Sequence, residues 1–74
     1  MYALAKMFGH TRLELVAFYE DVEHAAREAK TLSSRDAEHV YRVFSTGGRL
    51  VFLAEGGRGR YCRRETDARR QARG

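Results

Sequence analysis

The segment "HVYRVFSTGGRLVFLAE" constrains this 74-residue chain more than any other. Two runs rich in β-branched and aromatic residues flank Gly47–Gly48. A tight primed turn needs positive φ at its central positions, and glycine supplies that without steric cost. A two-residue turn would pair Thr46 with Arg49. That register sets Ser45 opposite Leu50, Val43 opposite Phe52 and Tyr41 opposite Ala54 on one face. Phe44 opposite Val51 and Arg42 opposite Leu53 fall on the other. The first face is the cleaner core face; the second is mixed, and is expected to be only partly covered.

Something must cover that core face. Upstream, "EDVEHAAREAKTL" carries Val22, Ala25, Ala26, Ala29 and Leu32 at helical spacing, with Asp21 placed to cap the N-terminus. Glu23 precedes Arg27 by four residues, the favourable orientation for a helix-surface pair. The apolar stripe is mostly alanine, which lets a helix approach a sheet closely but buries little area per residue. "SSRDAEHV" is expected to be a connection, although Ala37, Val40, Tyr41 and Phe44 also fit a helical stripe.

The first third admits two readings. As strands, Tyr2, Leu4 and Phe8 alternate with Ala3, Ala5 and Met7, and a Gly9–His10 turn would align Leu4 with Leu15 and Tyr2 with Ala17. As helix, Leu15, Phe18, Tyr19 and Val22 continue the later stripe, and "TRLE" has capping-box spacing. Strands are preferred, because "LELVAFY" is rich in apolar and aromatic residues and a 22-residue helix would join poorly to the later hairpin. The expected fold class is therefore α+β: a small two-layer β-β-α-β-β domain, a four-stranded sheet with one helix. The sheet's other face or an edge would then invite a partner.

The charge is unevenly placed. Residues 1–57 carry seven Lys/Arg and eight Asp/Glu, whereas residues 58–74 carry seven arginines against Glu65 and Asp67. The expected organisation is an α+β domain over 1–57 and an Arg-rich C-terminal tail over 58–74, set beyond a glycine break at Gly56–Gly57. The tail has no lysine. Guanidinium groups fork onto phosphates and stack on bases, so an Arg-only run containing Tyr61 suits DNA or RNA. Arg58, Arg60, Arg63, Arg64, Arg69 and Arg70 are the candidate nucleic-acid contacts. The competing expectation is a solvated end, or a marginal helix with Glu65 and Arg69 paired.

Catalytic and metal-binding arrangements are not evident. His10, His24 and His39 share no ligand spacing, and the single cysteine, Cys62, excludes an internal disulfide and any Cys-pair zinc site. Gly56–Gly57–Arg58–Gly59 follows a strand, but no Gly-Lys-Ser/Thr ends it. Ser33, Ser34 and Ser45 lack triad context. A chain of this length buries only about 60% of its unfolded surface, too thin a core to frame a pocket readily. No enzyme activity, cofactor or metal is expected. Arginines around Cys62 favour its thiolate, though no resolving cysteine accompanies it. The absence of a disulfide framework, of a run near the roughly 20 apolar residues of a membrane span, and of signal-peptide features points to the cytoplasm.

Two resemblances follow. "GRGR" at Gly57 to Arg60 resembles the core of an AT-hook, a minor-groove element, but Tyr61 stands where that motif continues with proline. "AFYEDVEHAAREAKTL" and "VYRVFSTGGRLVFLA" resemble the small Arg-rich single-domain proteins of bacteriophages and actinobacteria. That likeness implies an accessory or host-directed protein acting by binding, and carries over no functional residues. Two functions are thus expected. One is a small binding protein contacting nucleic acid through its tail. The alternative is a protein-interaction module, a homodimer or host-protein binder, using the mixed face at Phe44, Val51 and Leu53.

Overall fold

The computed structural model describes residues 1–9 and 11–62; His10 and residues 63–74 lie outside that description. The chain runs β1 (Tyr2–Phe8), β2 (Arg12–Tyr19), α1 (Val22–Arg35), β3 (Val40–Phe44), β4 (Leu50–Glu55) and β5 (Arg58–Tyr61). All neighbouring strands are antiparallel, in the order β2-β1-β3-β4-β5. The strand reading of the first third holds.

The four-stranded expectation does not hold: the sheet has five strands. The two Gly-Gly pairs exchange roles. Gly56 and Gly57 have φ of 60° and 83°, the paired left-handed conformation of a two-residue primed turn, and they join Glu55 to its cross-strand partner Arg58. What reads as a break is a hairpin turn, and "RGRY" pairs with β4 as a fifth strand. Gly47–Gly48 instead belongs to a three-residue loop, Thr46 to Gly48, in which only Gly48 is left-handed (φ 81°). Ser45 N–H donates to the Arg49 carbonyl at 2.8 Å, and Gly48 N–H donates to the Ser45 carbonyl at 2.8 Å.

The extra loop residue shifts pairing by one, so Phe44 faces Leu50 and not Val51. A bulge then restores the expected register, with Val43 opposite Phe52, Arg42 opposite Leu53 and Tyr41 opposite Ala54. The first hairpin repeats the device. Phe8 pairs with Arg12 around residues 9–11, and a bulge between Leu4 and Ala5 gives Ala5 opposite Leu15 but Leu4 opposite Ala17 and Tyr2 opposite Tyr19. The expected pairings of Leu4 with Leu15 and Tyr2 with Ala17 are displaced by these two irregularities.

The core lies between α1 and one sheet face. Leu4, Tyr41, Val43, Phe52 and Ala54 from the strands meet Ala25, Ala26 and Ala29 from the helix. Leu4 and Val43 are cross-strand partners and both are fully buried. Burying such a large aliphatic or aromatic side chain contributes about 1.5–3 kcal/mol, so the sheet supplies most of the apolar stabilisation and the alanines supply proximity. Asp21 caps the helix by accepting from Glu23 N–H at 3.1 Å. The helix runs three residues, Ser33 to Arg35, into the expected connection because Ser33 is part of the core, fully buried. Its hydroxyl donates to the Lys30 carbonyl and accepts from Gly57 N–H, both at 2.9 Å, tying α1 to the β4–β5 turn.

Candidate interaction surface

Cross-strand partners share a sheet face. Because Leu4, Val43 and Phe52 point to α1, the opposite face carries Ala3, Ala5 and Met7 of β1, with their partners Phe18, Leu15 and Leu13 of β2. It continues through Phe44 and Arg42 of β3, Leu53 of β4 and Arg60 of β5. Among the described residues, nothing covers this face. Ala5 and Met7 are nevertheless buried, Ala5 between the larger Leu15 and Arg42 and Met7 between the branched Leu13 and Val40.

The most exposed part of this face is its β2 margin. Leu13 is 53% exposed, Leu15 50% and Phe18 59%, with Val16 of the bulge at 43%. Four large apolar side chains therefore stand in water along one strand, and β2 is an outer strand of the sheet. An outer strand presents unpaired backbone groups, and β2 has only Arg12 and Glu14, of opposite sign, to keep another strand away. The expected interface residues lie further in. Phe44 and Leu53 are on this face but half-buried, and Val51 packs against the buried cluster. Sequence reading missed Leu13, Leu15, Val16 and Phe18. The available signal was "RLELVAFY" itself, apolar at both strand parities, which a one-sided strand does not need.

The opposite edge has a different character. Arg58 and Arg60 are exposed on β5, separated by Gly59, and so share the open face. Gly59 is there for packing: a Cβ at that position would sit 2.3 Å from Phe52 Cζ and 2.9 Å from Lys30 Cγ. The Tyr61 ring meets Phe52 edge-on, centroids 4.9 Å apart. The glycines of "GRGR" thus serve the turn and the helix-to-sheet approach. Arg63, Arg64, Arg69 and Arg70 lie outside the described residues. Arg42 sits between Ala5 and Leu53 with its Nε buried and without a hydrogen-bond partner among the described residues.

One polar cluster lies beyond the helix C-terminus. Lys6 Nζ is 2.9 Å from Asp36 Oδ2, His39 Nδ1 is 2.9 Å from both Asp36 carboxylate oxygens, and Tyr41 Oη donates to Oδ2 at 3.3 Å. The hydrogen bonds from His39 and then Lys6 hold the Asp36 pKa down to about 2. Its bond to Asp36 likewise raises Lys6 above the usual lysine value. Asp36 therefore stays ionised at neutral pH and fastens the helix end to β1 and β3. Among the described residues, no group of three or more His, Cys, Asp or Glu could hold a metal ion, and no helix is long and apolar enough to cross a membrane.

No family model, curated protein or solved structure matches the chain.

Proposed function

We propose that this chain is a small non-enzymatic binding protein of the cytoplasm that works by protein–protein contact through the open sheet face and its β2 margin. One observation carries the reading: Leu13, Leu15, Val16 and Phe18 are each 43% or more exposed on a single outer strand. Leaving that area in water forfeits burial worth about 25 cal/mol per Å², and a partner recovers it. Phe44 and Leu53 extend the same surface inward. The test is light scattering on the full chain across concentration, with Leu15→Asp as comparison. The expected result is a wild-type mass that climbs above the 8.5 kDa of one chain and a variant that stays there with an unchanged melting temperature. A wild type that remains single, and is no less soluble than Leu15→Asp, contradicts the reading.

A second reading has its own support: Arg58 and Arg60 project from one exposed strand onto the face that holds Arg42, and the sequence continues with Arg63, Arg64, Arg69 and Arg70. In this reading these arginines neutralise phosphates of DNA or RNA. Binding to generic duplex then weakens with salt, with a log–log slope of about −0.9 per phosphate contacted. The informative comparison is a chain ending at Cys62, which keeps all five strands, whereas ending at Gly57 would remove β5. Equal binding by the full and shortened chains rules out residues 63–74 as the contact.

A further inference from the structure

We infer that the occupant of the β2 edge is a second copy of this chain, joined antiparallel about a two-fold axis at Leu13. This rests on the reading of the β2 margin as the contact surface and names what binds there.

The first ground is charge complementarity within β2. Arg12 and Glu14 flank Leu13. Arg12 lies over the Phe8 ring, and Glu14 stands across from Lys6, whose close ion pair is with Asp36, so neither makes a close ion pair among the described residues. Antiparallel pairing about Leu13 sets Leu13 against the partner's Leu13, Arg12 against the partner's Glu14, and Glu14 against the partner's Arg12. Opposite charges directly across an antiparallel pair stabilise it, and like charges destabilise it. Moving the axis one residue either way sets Arg12 against the partner's Arg12 or Glu14 against the partner's Glu14. The strand is therefore self-complementary in this register and self-repelling in its neighbours.

The second ground is where the strand is regular. The bulge falls at Val16, beyond the Ala5–Leu15 pair, so the stretch from Arg12 to Leu15 pairs without irregularity. Bulges interrupt edge pairing, and this one leaves free the segment that the two-fold pairing uses.

The third ground is the contrast between the two edges. β5 is four residues long and presents Arg58 and Arg60, whereas β2 is eight residues long with Arg12 and Glu14 as its only charges. Short, like-charged strands resist pairing with their own kind. The strand order puts β2 and β5 at opposite margins, so joining two β2 edges keeps the basic segments of both copies apart. In the ten-stranded sheet they stand nine strand spacings from each other, roughly 40 Å. Residues paired with their own counterparts share a face, so both helices fall on one side and the two open faces become continuous, each with its Leu13 and Leu15 at the junction.

The test is a charge exchange in the full chain. Arg12→Glu and Glu14→Arg are each measured alone, as an equimolar mixture and as the double variant, by native mass spectrometry at low salt. The expected result is a wild-type dimer, a tenfold or greater loss of association in each single variant, a heterodimer from the mixture and a homodimer from the double variant. Wild-type chains that stay single, single variants that dimerise like the wild type, or a mixture that does not recover the dimer each overturn the inference. If the mixture fails to recover while Leu15→Asp still abolishes association, the open-face reading stands and the edge pairing falls. If Leu15→Asp associates like the wild type, both fall.

Discussion

Gly59 is the residue on which the fifth strand depends. It lies under the Phe52 ring and against the Lys30 side chain, with no room for a Cβ. Gly59→Ala must displace a ring that is only 2% exposed, so it should destabilise the fold by about 1–3 kcal/mol in urea titrations. Gly47→Ala, where nothing lies within 4 Å of the added carbon, should change stability by under about 0.5 kcal/mol. Asp36 sets the pH dependence. Its folded pKa, about 2, lies below the ordinary 3.8, so its pairing stabilises fully above that ordinary value and is lost as pH falls towards 2. Lys6, raised above 10.5, contributes below that value and ceases to as pH rises through its folded pKa. Melting curves should therefore show Asp36→Asn narrowing the gap to wild type as pH drops from 4 to 2. An unchanged gap across that window would contradict the role given to Asp36.

Among the elements, the β4–β5 hairpin is held by one buried polar contact and one aromatic contact. Ser33 Oγ satisfies Gly57 N–H, and Tyr61 lies against Phe52. Ser33→Ala leaves that amide without its partner, a cost of about 1–3 kcal/mol. Amide exchange in Arg58–Tyr61 should accelerate more than in Tyr2–Phe8; a uniform change would mean that the hairpin does not open on its own. The sequence disclosed α1 through alanine spacing and Asp21, and the β3–β4 core register through alternation of Tyr41 and Val43 against Phe52 and Ala54. It did not disclose which Gly-Gly pair makes the tight turn, because both satisfy the same composition rule and only neighbouring packing distinguishes them. Gly57 is committed to the turn by its bond to Ser33, a contact 24 residues away along the chain. "RGRY" reads as a charged tail because its strand character comes from Phe52 above it and not from its own residues. Candidate contacts were legible in kind, an uncovered sheet face, but not in place, since strand order decides which apolar strand becomes an edge.

For the whole molecule, the consequence is a sheet with two unlike margins, one basic and one apolar. With two chains paired along β2 as proposed, the apolar margin joins them and the basic margin of each faces outward. Residue-resolved amide exchange on dilute and concentrated samples of the full chain tests this most directly. Concentration should slow exchange at Arg12–Leu15 and leave Arg58–Tyr61 unchanged, because a new strand pairs along β2 alone. Slowing confined to Arg58–Tyr61, or no slowing at Arg12–Leu15 at any concentration, would contradict it.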